Sequence, residues 1–135
     1  MPTTIEMTHG ALSSVDYFRA KLQFEATPYG VSNAKNKEDF VLLDVRDRES
    51  FEKEHIPGAY NIPGNDLPKR MSHLPKHKVV VTYCWGRDCS LAPRAALQLA
   101  EHGYRVREMS GGIAAWKDAG YELEGSEVPA VEASV

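Results

Sequence analysis

The chain has 135 residues, 42% of them hydrophobic and 26% charged, with a formal net charge of -3, which suits one soluble globular domain with one core. No basic excess is present to neutralise phosphates, so a dedicated nucleic-acid binder is excluded. No apolar run approaches bilayer length and the start MPTTIEMTHG lacks a secretory pattern, while two closely spaced cysteines make no disulfide framework; a reducing cytoplasm is the expected setting, with no membrane.

Taken in order, Ser13 or Ser14 can cap a helix running to about residue 25, in which Leu12, Val15, Phe18, Leu22 and Ala26 recur at three- and four-residue steps. That pattern predicts an amphipathic helix packed on the side of the domain; the alternative is a helix that docks a protein partner or a second copy. Thr27, Pro28 and Gly30 interrupt it, and a weak second helix follows over 29–36. Residues 39–45 form a short continuous apolar run, the mark of a strand buried on both faces. A short helix over 49–54, a turn at Ile56-Pro57-Gly58-Ala59, a brief strand over 60–62 and another short helix over 67–72 come next.

The central strand, 79–83, leads into the loop Cys84-Trp85-Gly86-Arg87-Asp88-Cys89 and then Ser90, a good N-cap residue. Pro93 fits only the first turn of a helix, which fixes the helix start directly behind the loop. That helix runs to about His102 and stops at Gly103. A strand over 104–109, a tight turn at Ser110-Gly111-Gly112 and a last helix over 113–119 complete the pattern. Strands alternating with helices at this spacing imply an α/β fold with a mainly parallel sheet, whose ligands lie beyond the carboxyl ends of the strands. Cys84 falls at such an end.

A loop wrapped round the Cys84 sulfur would point its amides inward, and with the helix dipole these should lower the thiol pKa. Gly86 is expected to give the bend an unusual dihedral, and Arg87 to hold an anionic substrate. The bland reading of Cys84 is an inert buried thiol. Cys89 stands in C-x4-C spacing. Zinc would need two further ligands from His55, His73, His77 and His102, none suitably paired with the cysteines, so no metal is expected. A reversible Cys84–Cys89 disulfide is the more credible pairing, and a residue that merely lines the loop is the plainest.

Four motifs in this order resemble the rhodanese-like family, the single-domain sulfurtransferases: LLDVRDRESFEKEHIPGAYNIP (42–63), VVVTYC into the six-residue loop, APRAALQLAEHGY, and SGGIAAWKDAGY. The resemblance implies a five-stranded, mostly parallel sheet with helices on both sides. It implies that Cys84 carries sulfur as a persulfide, taking it from thiosulfate or a persulfide donor and passing it to a thiol or cyanide, with no cofactor. It makes Trp85, Gly86, Arg87, Asp88, Cys89 and Ser90 the loop that holds the sulfur and the substrate. Asp44, Arg46 and His55 match the strand-end and turn motifs and read as mainly architectural. The sequence departs from many active members, which carry glycine three places after the cysteine and arginine or threonine five places after it; here Gly86 is two places after and Cys89 takes the fifth.

Two other classes compete. A Cys-x5-Arg phosphatase or arsenate reductase needs an arginine six places on, and Ser90 stands there. A non-catalytic or redox-sensing module would use a Cys84–Cys89 disulfide. The expected organisation is an N-terminal helical extension over 1–38, the rhodanese-like core over 39–123 and a loosely held tail over 124–135.

Overall fold

The computed structural model describes residues 12–129. Five strands pair in the order β1-β5-β4-β2-β3, all parallel: β1 (Glu25–Ala26), β2 (Phe40–Asp44), β3 (Tyr60–Asn61), β4 (Val79–Tyr83) and β5 (Val106–Met109). The helices are α1 (Ser14–Phe24), α2 (Pro28–Ser32), α3 (Arg48–Lys53), α4 (Leu67–Arg70), α5 (Leu91–Glu101) and α6 (Gly112–Asp118). None among the described residues is long and apolar enough to cross a membrane.

Apolar runs in the two central strands let neighbouring residues serve opposite faces. Leu43 and Val80 enter one core with Leu67 of α4 and Ala92, Ala95 and Leu99 of α5. Leu42 and Val81 enter the other with Val31 of α2 and Ile113 and Trp116 of α6. Trp116 is packed as its position suggested, edge-on to Tyr121 with centroids 5.1 Å apart, its indole N–H donating to the Glu122 carbonyl at 2.7 Å.

Three expectations change. The fifth strand, β1, lies inside the stretch read as an N-terminal extension, because Glu25 and Ala26 pair with Glu108 and Met109 at the edge of the sheet; two residues are too few to leave a periodic signal. Helix α1 is capped by the Ser13 hydroxyl as its sequence suggests, but it buries no residue. Leu12, Val15, Phe18 and Leu22 all face solvent, Leu22 at 84% exposure, because the helix runs directly into the edge strand and packs mainly along β1 and β5. The segment from Glu124, expected to be loose, is held to the domain through Glu127. Glu124 pairs with His55 in an antiparallel bridge, and the amides of Ser126 and Glu127 donate to the carbonyls of Glu52 and Lys53 at 2.9 Å.

Candidate active site

Cys84 emerges from the end of β4, the middle strand, into a loop held from both sides. Behind it stands the start of α5. Ser90 takes the N-cap position there but makes no capping bond; its hydroxyl instead accepts from Arg94 Nε at 3.0 Å. In front stands the start of α6, whose Ile113 and Ala114 amides donate to the Cys84 and Trp85 carbonyls at 2.9 and 3.0 Å. This clamp needs the left-handed turn made by Gly111 and Gly112, with φ of 80° and 58°. It also needs Gly112 to lack a side chain, since a Cβ there would meet the Cys84 carbonyl oxygen at 2.5 Å. Gly86 has no positive φ, contrary to expectation. The close approach to the loop comes from Gly112, outside it.

The Cys84 side chain is 2% exposed and lines a cavity of about 260 Å³ with Gly86 and Arg87, across from Lys21, Glu25 and Glu108. Trp85, Asp88 and Cys89 line a second recess of about 610 Å³ on the outer side of the loop, against Ala114 and Ala115 of α6; Gly86 and Arg87 border both. Arg87 makes no ion pair or side-chain hydrogen bond among the described residues, so its guanidinium is available at the rim.

The two cysteines are free and interact directly. The Cys84 thiol donates to the Cys89 carbonyl at 3.6 Å. Burial pushes the Cys84 thiol up to about 11, aided by its bond with the Cys89 side chain and opposed by the Ala92 and Trp85 amides. At Cys89 burial also opposes ionisation. There the Cys84 thiol and the Leu91 and Trp85 amides outweigh it and hold the thiol below its usual range. The expected low-pKa thiolate is therefore on the other cysteine. The Leu91 and Trp85 amides favour the charged form of the more accessible sulfur.

Asp44, Arg46 and His55 lie away from the Cys84 cavity, in the frame. Asp44 and Arg46 are fully buried and paired twice: Arg46 Nε to Oδ1 at 3.1 Å and a terminal nitrogen to Oδ2 at 2.8 Å. That nitrogen also donates to the Glu54 carbonyl at 2.6 Å. The remaining guanidinium nitrogen has no hydrogen-bond acceptor, and the Trp85 ring covers the group with its centroid 4.6 Å from the guanidinium carbon, a cation–π contact that ties the loop to the frame. His55 stacks on Phe51 and shares a hydrogen bond with its carbonyl at 2.7 Å. It carries the tail bridge.

Lys21, Glu25 and Glu108 were not legible as site residues. Lys21 and Glu25 form an ion pair at 2.8 Å on α1 and the start of β1. Glu108, directly opposite Glu25 in the ladder, is pushed up by burial and by that neighbouring carboxylate. Their four-residue spacing suggests the first pair. The facing of Cys84 depends on a strand pairing more than eighty residues apart. Among the described residues no group of three or more His, Cys, Asp or Glu could hold a metal.

The parallel α/β sheet places a buried thiol in a tight loop after its central strand, between two helix starts. Residues 27–119 match the family model described as Rhodanese-like domain, and the chain belongs to that family. A sulfurtransferase of Allochromatium vinosum is 36% identical over 91 residues, 67% of this chain and 83% of that protein. The HTH-type transcriptional regulator Rv0324 of Mycobacterium tuberculosis is 36% identical over 86 residues, 64% of this chain but 38% of the regulator's length. The crystal structure of the BH2092 protein from Bacillus halodurans superposes with a TM-score of 0.76 at 37% identity, covering 84% of this chain and 85% of that one.

Proposed function

We propose that the protein is a sulfurtransferase in which Cys84 carries sulfane sulfur as a persulfide. The observation that carries this reading is the Cys84 thiol at the inner wall of a small cavity whose rim holds the unpaired Arg87 guanidinium. An anionic donor such as thiosulfate meets Arg87 at the mouth, with its outer sulfur toward Cys84. Cys89, whose thiolate is favoured, takes the Cys84 proton as Cys84 attacks that sulfur, and sulfite leaves. The Ala92 and Trp85 amides, which favour charge on the Cys84 sulfur, suit the resulting persulfide anion. Cyanide or a thiol then removes it. The sulfurtransferase name of the Allochromatium relative supports the same reading.

The test is intact mass spectrometry after thiosulfate treatment. One sulfur atom is gained, cyanide removes it, and Cys84→Ser does not gain it. Failure to load from thiosulfate or any small persulfide donor overturns the proposal. The closeness of the two cysteines also supports a redox-sensing role, which predicts loss of two hydrogens on mild oxidation, blocked by either cysteine substitution.

A further inference from the structure

The loop divides two recesses and carries one cysteine toward each. Cys84 lines the smaller, charged cavity and Cys89 lines the larger one on the far side. Between them the Cys84 thiol donates to the Cys89 backbone carbonyl at 3.6 Å, and the Cys89 side chain lies within hydrogen-bonding reach of that thiol. A terminal sulfur attached to Cys84 therefore has a second thiol as a neighbour. Building on the Cys84 carrier reading, we infer that Cys89 is a second sulfur-carrying residue, receiving the sulfane sulfur from Cys84 and presenting it to the acceptor in the outer recess.

The step balances without an oxidant. The Cys89 sulfur attacks the outer sulfur of the Cys84 persulfide anion. A bond forms between Cys89 and that sulfur, the bond from Cys84 to it breaks, and the Cys89 proton passes to the departing Cys84 sulfur. The persulfide anion moves to Cys89 with its charge unchanged. Direction follows from burial. Cys84, almost sealed from solvent, is the better place for a neutral thiol, and Cys89, half-buried beside the Trp85 and Leu91 amides, is the better place for an anion. Acceptor size enters here. The Cys84 cavity of about 260 Å³ admits a small donor, whereas the outer recess of about 610 Å³, lined by Trp85, Ala114 and Asp118, has room for a cysteine side chain on a peptide.

Trypsin cleaves after Lys78, Arg87 and Arg94, so the two cysteines separate into peptides 79–87 and 88–94. The full-length chain is loaded with thiosulfate, alkylated at intervals and digested without reductant. Sulfur is expected first on peptide 79–87 and then on 88–94, at a transfer rate independent of protein concentration. Cys89→Ser and Cys89→Ala still load 79–87, more slowly without the Cys89 base, and from the same loaded fraction deliver sulfur to a cysteine-containing peptide about tenfold more slowly or worse. Cys84→Ser loads neither peptide. If the wild type loads 79–87 alone and Cys89→Ser turns over normally, the carrier reading stands and the relay falls. Loading of 88–94 in Cys84→Ser, transfer that scales with protein concentration, or release of sulfide with a Cys84–Cys89 disulfide also overturns the relay. No loading of any kind overturns both.

Discussion

Replacing Gly112 by alanine tests whether the clamp from α6 sets the loop that carries Cys84. The added Cβ would lie 2.5 Å from the Cys84 carbonyl oxygen and 2.8 Å from both the Gly86 nitrogen and the Trp85 carbonyl carbon. All three are backbone atoms, so no flexible side chain can move aside. Ordinary contact begins near 3.4 Å, so the loop must retreat by about 0.9 Å. The left-handed φ of 58° adds about 1–2 kcal/mol of strain for any residue with a Cβ, and overpacking adds about 1–3 kcal/mol. The expected loss of stability is therefore about 2–5 kcal/mol. A displacement near 1 Å at a reacting group costs roughly a hundredfold in rate, so kcat/KM for thiosulfate and cyanide should fall by about that factor. Gly120→Ala is the control: φ is 80° but nothing lies within 4 Å of the new Cβ, so it carries the left-handed strain without touching the loop. Thermal unfolding and sulfur-transfer rates are measured on both. Gly112→Ala retaining activity within about twofold, under conditions where it remains folded, would refute the claim that α6 fixes the loop.

Arg46→Ala leaves the Asp44 carboxylate buried without its partner and should cost about 3–5 kcal/mol in a urea titration, with Trp85 fluorescence shifting as its ring loses the guanidinium beneath it. Arg87→Ala should raise KM for thiosulfate by roughly tenfold while leaving alkylation by a neutral reagent unchanged; equal losses in both would mean Arg87 is no anion clamp. In the wild type, Cys89 ionises below the usual thiol range and Cys84 near 11. Iodoacetamide at neutral pH should therefore modify peptide 88–94 before 79–87, with the second lagging until strongly alkaline pH, as read by mass spectrometry.

Much of the fold was legible because its signals are local. Ser13 caps α1, Pro93 marks the first turn of α5, and Gly103 and Gly120 close helices with left-handed φ of 88° and 80°. The runs at 40–44 and 79–83 are apolar enough to announce two-sided burial. What escaped depends on pairing between distant segments. β1 has two residues and exists because β5 offers it an edge. The row of Leu12, Val15, Phe18 and Leu22 has the period of a packed face, and periodicity specifies which residues share a side without specifying what lies opposite. Lys21, Glu25 and Glu108 are ordinary surface charges until the β1–β5 ladder brings them to the Cys84 cavity. His55 looked like part of a turn, and its tie to Glu124 spans about half the chain.

The unusual loop composition makes physical sense once both sides of the loop are considered. Glycine inside the loop is needed when the backbone must bend through left-handed dihedrals or touch a neighbour; here Gly111 and Gly112 of the facing turn meet those demands, and Gly86, whose Cβ would find only an ordinary 3.5 Å contact with Ala114, has neither task. Trp85 suits its place because the frame beneath it holds a guanidinium with one nitrogen lacking an acceptor, and an aromatic face meets that cation without a hydrogen-bond acceptor. Cys89 then occupies the fifth position beside a thiol too deeply buried to ionise readily alone. A fixed cation there would lower the pKa of Cys84 by charge. In the mechanism proposed above, the Cys89 thiolate takes that proton instead and its sulfur then receives what Cys84 carries.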